Sequence, residues 1–373
     1  MADKINHLFP LIGQEMVWER LVCYFQKKRI ANAYLFNDSW NSGGDSLAMN
    51  FASLVNCENG NNCGSCRSCA KMKKLQHPNV QLIFALPNKG KSDNPLKGFT
   101  EPDLKTFHEL IQNKSEDPYV PMHYPGGNNI RISSIRAVKR SFVLESAEFG
   151  WRFVIIFDAG KLSIEAANSL LKILEEPPKD TTFLLISSSN TLLPTIQSRC
   201  QEITIPPISG ENILEYLQNK FPKKSGLKSI AKLVHGDILW ANQLAESQED
   251  EIAKVGEKYL RLLKKFSTEE IVETARNWNK IFADNPSLFT KEMKILQTIF
   301  KDSWAIASNF AEIQLVDHSE IIQNCAQEFG EFDFERIAKT IENCVDLSGK
   351  NLYFTPLFIH LILTIKRNLE YRN

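Results

Sequence analysis

Apolar positions in the N-terminal half of the chain alternate between helical spacing and short continuous runs. Val17, Leu21 and Phe25 recur every four residues after a Gly13-Gln14 turn, which predicts a helix over 11–30. Residues 33–36 read as a strand, 37–45 as a polar, glycine-bearing loop, and 47–55 as an apolar helix. Strand, loop, helix is the order of a P-loop fold. Further on, 80–86 predicts a strand, 132–144 a helix, 153–157 a strand, 164–175 a helix and 182–187 a strand. Such alternation implies an α/β domain with a parallel sheet covered on both faces.

Two stretches break the alternation. Residues 87–128 are rich in Pro, Gly, Lys, Asp and Asn around a weak helical patch at 103–111, and read as a surface insertion. After Pro206-Pro207 the pattern turns helical and stays so, with no convincing strand. A domain division into 1–207, a small helical lid at 208–247 and a helical collar at 250–373 fits this change, with the acidic run 246–251 as linker. There is no internal repeat. A chain of 373 residues suits two or three such domains.

Charge narrows the function classes. Lys+Arg and Asp+Glu are 44 each, so no overall basic field draws the chain to nucleic acid. That argues against a stand-alone DNA-binding protein. Arg131, Arg136, Lys139 and Arg140 lie on or just before one helix and form either a local phosphate-facing patch or a solvated face. The first ten residues hold Asp3, Lys4 and Asn6 and do not read as a secretory signal. The apolar stretch 353–365 is broken by Pro356 and His360, falls short of the roughly 20 residues of a membrane span, and reads as a buried helix. The expectation is a cytoplasmic chain with reduced thiols.

Four of the eight cysteines cluster as Cys57, Cys63, Cys66 and Cys69, a C-x5-C-x2-C-x2-C pattern with Gly60, Gly64 and Ser65 supplying tight turns. Four thiolates this close can enclose one tetrahedral Zn²⁺ with no open position, a structural site; the alternative is a set of free loop thiols. Cys23, Cys200, Cys325 and Cys344 are scattered and read as small buried hydrophobes.

The loop after the first strand has the place and length of a G-x-x-x-x-G-K-[ST] phosphate loop but not its residues. Asp38 stands at the first glycine, Gly43 keeps the second, Gly44 replaces the lysine and Asp45 the hydroxyl residue; Ser46 could supply a hydroxyl only out of register. With Asp45 facing the phosphate space and the lysine gone, like charges cost several kcal/mol, about 4 for a contact pair. The run Val154 to Asp158 reads as an acidic strand end of Walker B type, followed by Ala159. Asp158 alone could equally cap the following turn.

Residues 166–178 (Ala-Ala-Asn-Ser-Leu-Leu-Lys-Ile-Leu-Glu-Glu-Pro-Pro) form a helix with a Leu170/Ile173/Leu174 stripe stopped by two prolines. The string resembles the signature of the AAA+ family of bacterial sliding-clamp loaders. Ser198-Arg199-Cys200 resembles that family's S-R-C motif, and Ile12-Gly13-Gln14-Glu15 and Phe36-Asn37 are similar to other family elements. The cysteine knot also lies where the family carries one, though its first gap is shorter and the 87–128 insertion longer than the family pattern.

The resemblance covers about 1–245 and implies several things. The family's ATPases place a water-polarising Glu where Ala159 stands and a phosphate-sensing arginine where Leu239 stands. The chain therefore resembles the inactive member of the ring, binding no ATP itself, rather than an atypical ATPase of gamma/tau type. Arg199, between Ser198 and Cys200, would reach in trans to a neighbour's γ-phosphate; its alternative partner is a local acid such as Glu202. Implied partners are gamma/tau and delta subunits of a DNA polymerase III complex and, through the assembly, the clamp and primer-template DNA.

Overall fold

The computed structural model describes residues 5–90, 93–142, 150–188, 192–265, 267–282, 286–310, 313–330, 332–348 and 353–370. It divides into two compact units, Met1–Ile213 with Gly236–Leu239, and Leu214–His235 with Trp240–Asn373.

The first unit runs α1 (Glu15–Gln26), β1 (Ala33–Asn37), α2 (Gly44–Asn56), α3 (Arg67–Lys73), β2 (Val80–Ile83), α4 (Glu101–Glu116), α5 (Ile132–Ser141), β3 (Arg152–Ile156), α6 (Ile164–Glu175), β4 (Thr181–Ser187), α7 (Pro194–Gln197) and β5 (Gln201–Thr204). All pairings are parallel, in the order β2-β3-β4-β1-β5. Leu35 lies between Leu185 on one side and Glu202 on the other. The centre of the sheet is fully apolar because both of its faces are covered, and every residue of β4 is buried.

Side-chain alternation splits the interior into two cores. Tyr34, Phe36, Phe153, Ile155, Leu184 and Ile186 pack with Leu21 of α1 and Leu47, Phe51 and Leu54 of α2. Leu35, Val154, Ile156, Phe183 and Leu185 pack with Ile135 and Val138 of α5 and Leu170 and Ile173 of α6.

Four strands fall where the apolar runs predict them, though the second stops at Ile83 rather than 86. The fifth, β5, is absent from the pattern: only Ile203 and Gln201 of its four residues are less than exposed. It is an edge strand held to β1 by backbone pairing. The first helix, predicted over 11–30, is shorter at both ends and covers Glu15–Gln26. The helix predicted to 144 ends at Ser141, and its last two positions lie outside the described residues.

The insertion is where the structure departs most from the surface reading. α4 is 16 residues long, its entry fixed by Asp103 Oδ2, which accepts from the Thr100 N–H (2.8 Å) and hydroxyl (2.7 Å). Lys114, Tyr119, Met122 and Tyr124 are buried.

The regular elements described in the second unit are all helical: the later part of α8 (Gly210–Lys220), α9 (Leu227–Leu233), most of α10 (Ile238–Glu246), α11 (Glu251–Lys265), α12 (Thr268–Phe282), α13 (Pro286–Ala307), α14 (Ser319–Phe329), α15 (Phe334–Ser348) and α16 (Phe354–Glu370). Its core is aromatic, with the Trp278 ring 4.2 Å from Phe358 and 5.0 Å from Phe289. The 353–365 stretch is helical but buried on one face only: Phe358, Leu361, Ile362 and Ile365 of α16 are inaccessible, whereas Tyr353 and Leu363 are exposed. No described helix is long and apolar enough to cross a membrane.

Candidate functional site: a filled phosphate loop, a cysteine knot and an exposed guanidinium

The loop between β1 and α2 lies beyond the carboxyl end of β1, where open α/β sheets take their ligands. Gly43, at φ 105°, turns the chain into α2. Backbone N–H groups at such a helix start are a ready anion site. Here the anion belongs to the chain. The Asp38 carboxylate is buried; its Oδ1 accepts from the Ser42 N–H (2.6 Å) and its Oδ2 from the Gly44 N–H (2.8 Å). Ser46 supplies no hydroxyl to the cleft, because it donates to the Pro10 carbonyl (2.5 Å).

Burial pushes the Asp38 carboxyl up to about 6; the two amide bonds oppose the shift, while Asp45 and Asp237 add to it. A carboxyl raised above its unfolded value binds its proton more tightly when folded. Its contribution to stability is therefore full below about pH 4 and is lost as pH rises through 6, by about 3 kcal/mol. The stability difference between the parent and Asp38→Asn, measured by urea unfolding, should accordingly change across pH 4 to 6 and be flat above 7. A difference independent of pH would mean Asp38 titrates normally.

Asp45 lines what is left of the phosphate space, but its charge is already paired. It forms an ion pair with Lys114, whose side chain has no accessible surface and whose ammonium also donates to the Pro118 (2.6 Å) and Val120 (2.7 Å) carbonyls. The loop has no lysine of its own, and the insertion supplies one. Tyr119 closes over the loop: its hydroxyl accepts from the Ile12 N–H (2.9 Å) and donates to the Pro10 carbonyl (3.3 Å). A Cβ at Gly43 would meet its ring at 3.1 Å.

What remains is a cleft of about 190 Å³ lined by Asp38, Gly43, Asp45, His123, Asp158 and Leu239 among others. The structure thus gathers the acidic loop, the acidic strand end and Leu239. Asp158, at φ 49°, makes no cap hydrogen bond and pairs with Lys161 (2.9 Å) instead. Ala159 is fully buried. Asn41 and Ser42 tie the loop to Asp237 and to the Gly236 carbonyl, both at 3.0 Å.

The four clustered cysteines come together between α2 and α3. Their sulfurs all lie within 4.8 Å of one another, and Cys57 and Cys63 are 3.8 Å apart. Zn–S arms of 2.3 Å set a tetrahedron edge of about 3.8 Å. The N–H of Cys66 points at Cys63 Sγ (3.3 Å) and that of Cys69 at Cys66 Sγ (3.4 Å). Ser65, through its N–H and hydroxyl, and the Cys66 N–H bring the Cys63 thiol down to about 5. The donor set fits a closed tetrahedral cation. Of the scattered cysteines, Cys325 and Cys344 are buried as expected, whereas Cys23 and Cys200 are half-buried.

Arg199 does not line the cleft. Its partner is Glu175, the last residue of α6 (Nη2 to Oε1, 2.8 Å), with Nη1 donating to the Thr195 carbonyl (2.9 Å). Glu202, the acid adjacent in sequence, instead accepts from Asn37 Nδ2 (3.0 Å). The Ser198 hydroxyl donates to the Thr195 carbonyl (3.1 Å). Three of the four basic residues on or before α5 are also engaged: Arg136 and Arg140 pair with Asp93 (2.9 and 3.4 Å) and Arg131 donates to Asn88 (2.6 Å).

The residues that sequence reasoning missed are Lys114, Tyr119 and Glu175. Glu175 lies inside the quoted helix signature, but nothing in its spacing points to Arg199.

A five-stranded parallel sheet with a phosphate loop after β1 and helices on both faces defines the class: an AAA+-like α/β clamp-loader fold. The family described as DNA polymerase III, delta subunit, matches residues 13–209, more than half of the chain. The chain belongs to this family of clamp-loader subunits, on its delta-prime side. It is 28% identical over 291 residues to DNA polymerase III subunit delta' of Pseudomonas aeruginosa, covering 75% of this chain and 73% of that one. It is 27% identical over 252 residues to the delta' subunit of Bacillus subtilis, covering 67% and 64%. It is also 25% identical over 205 residues to the B. subtilis tau subunit, covering 55% of this chain and 30% of that one.

Proposed function

We propose that the chain is the non-hydrolysing member of a DNA polymerase III clamp-loader ring. It scaffolds gamma/tau and delta subunits while the clamp is loaded on primed DNA, and it offers Arg199 to a neighbouring ATPase site. One observation carries the non-hydrolysing part: the Asp38 carboxylate already holds the Ser42 and Gly44 N–H groups that would wrap a phosphate. A triphosphate would have to expel a buried carboxylate and then sit beside Asp45 without a free lysine. The cleft, about 190 Å³, is also smaller than the roughly 300–1,000 Å³ of ordinary ligand pockets.

The similarity to a tau subunit keeps an atypical gamma/tau-type ATPase as the competing reading. Calorimetric titration of the full chain with Mg·ATP separates the two. The expected result is no binding below millimolar nucleotide, and micromolar binding would overturn the proposal. Gly44→Lys should not restore binding, since even its Cβ would meet Asp38 Oδ2 at 3.0 Å and Ile186 at 3.1 Å. Saturable ATP binding by that variant would mean that the lost lysine was the only obstacle.

The remaining parts of the reading are a structural zinc at Cys57, Cys63, Cys66 and Cys69, a lid at 208–247 and a collar at 250–373 that joins the ring. The donor geometry of the knot and the helical character after β5 support them.

A further inference from the structure

We propose that residues 87–128 are a tethered occupant of the former nucleotide site, holding this domain in one shape that no nucleotide is needed to set. The inference rests on the non-hydrolysing reading above and gives the insertion its role.

A working P-loop is braced by its ligand: backbone N–H groups and a lysine grip the phosphates, and the acidic strand end is joined through the metal. Each of those braces has an internal counterpart here. Asp38 holds the N–H groups. Lys114, from the last turn of α4, takes Asp45 on the loop, and its ammonium lies 5.5 Å from the ring centre of Phe157, the residue before Asp158. Tyr119 reaches from Gly43 to the segment before α1, residues 8–12, an N-terminal strap, through the Ile12 N–H and the Pro10 carbonyl. One short stretch of the insertion therefore joins the strap, the loop and the strand end.

The donor count argues that this is an occupant and not a phosphate-binding lysine in waiting. An ammonium has three donors, and those of Lys114 go to Asp45, the Pro118 carbonyl and the Val120 carbonyl. None is left for a phosphate. Fully buried charge is tolerated when every partner is in place and is strongly destabilising when one is removed. The pair is therefore a lock on the position of the insertion. Because the occupant is part of the chain, its local concentration does not vary with the nucleotide pool.

The experiment compares thermal melting of the full chain for the parent, Lys114→Met, Asp45→Asn and the double variant, each with and without Mg·ATP. Lys114→Met should lower the transition of the first unit by about 10 °C, since it strands Asp45 and two carbonyls. The double variant should recover part of that loss, and segment 87–128 should become sensitive to protease in Lys114→Met but not in the parent. If Lys114→Met does not accumulate, Tyr119→Phe reads the same tie with a smaller shift. Melting within 2 °C or so of the parent, or losses that simply add in the double variant, would overturn the tethered-occupant proposal while leaving the non-hydrolysing reading intact. A parent whose melting rises with micromolar Mg·ATP would instead overturn the reading beneath it.

Discussion

Cys66→Ser should empty the cysteine knot of metal and lower the melting temperature of the first unit by well over 10 °C, an effect that chelation of the parent should reproduce. Structural zinc contributes on the order of 10 kcal/mol or more to the folding of small metal-organised modules. Here the cost falls on a module tied into the larger core. Cys69 is fully buried at the start of α3, Met72 of the same helix lies in the core with Leu54 of α2, and Asn62 Nδ2 donates to the Asn50 carbonyl inside α2. Asn50 in turn holds Leu8 and Phe9 through their N–H groups (2.6 and 3.0 Å). Loss of the knot should therefore loosen the N-terminal strap as well as the 57–69 loop. Elemental analysis of the purified chain checks the claim directly, with one zinc expected per parent chain and none in the variant. A metal-free parent with unchanged melting would remove zinc from this protein.

Legibility in the sequence followed burial symmetry. β1, β3 and β4 were readable because strands covered on both faces carry uninterrupted runs of large hydrophobes, such as Phe153 to Ile156 or Phe183 to Ile186. β5 was not, because an edge strand needs only backbone pairing and one inward side chain, and Ile203 between Glu202 and Thr204 looks like a loop. The clustering of the four cysteines was readable because they lie at short spacing in one stretch of chain. The filling of the phosphate loop was only half readable. Asp38 and Asp45 were visibly wrong for phosphate, but the answer to Asp45 comes from 69 residues further on. Lys114 sits in a helix whose pattern is mostly polar, and a lysine there carries no mark of burial. The segment 87–128 looked like surface because its composition is polar, and composition cannot reveal that a polar group is satisfied inside. Arg199 is singled out by its motif, but which local acid it meets is not legible from sequence distance. Glu202 is near in sequence, yet it points to Asn37 across the β1–β5 pair, leaving Glu175 at the proline-stopped end of α6 to meet the guanidinium.

That pairing bears on the second large effect, expected in the assembled ring. Arg199→Ala should leave the isolated chain folded and cut ATP turnover of the reconstituted complex at least tenfold. Stability should hold because the Arg199–Glu175 pair is an exposed one, with side chains 36% and 51% accessible, a type worth about 0–1 kcal/mol. Turnover should fall because an arginine supplied in trans offsets charge that develops on the transferring phosphoryl group, an effect of about 10³–10⁵ in GTPases. The geometry leaves the side chain able to do this. A guanidinium has five N–H donors, and Glu175 and the Thr195 carbonyl engage Nη2 and Nη1 once each. Three N–H groups remain for a neighbour's phosphate. Arg199→Lys keeps the charge but loses the fork, so its turnover should lie between parent and alanine variant. The loss should appear in kcat more than in KM, because the interaction strengthens as charge builds in the transition state. Equal turnover in parent and Arg199→Ala complexes would leave the guanidinium as a surface ion-pair partner of α6 and nothing more.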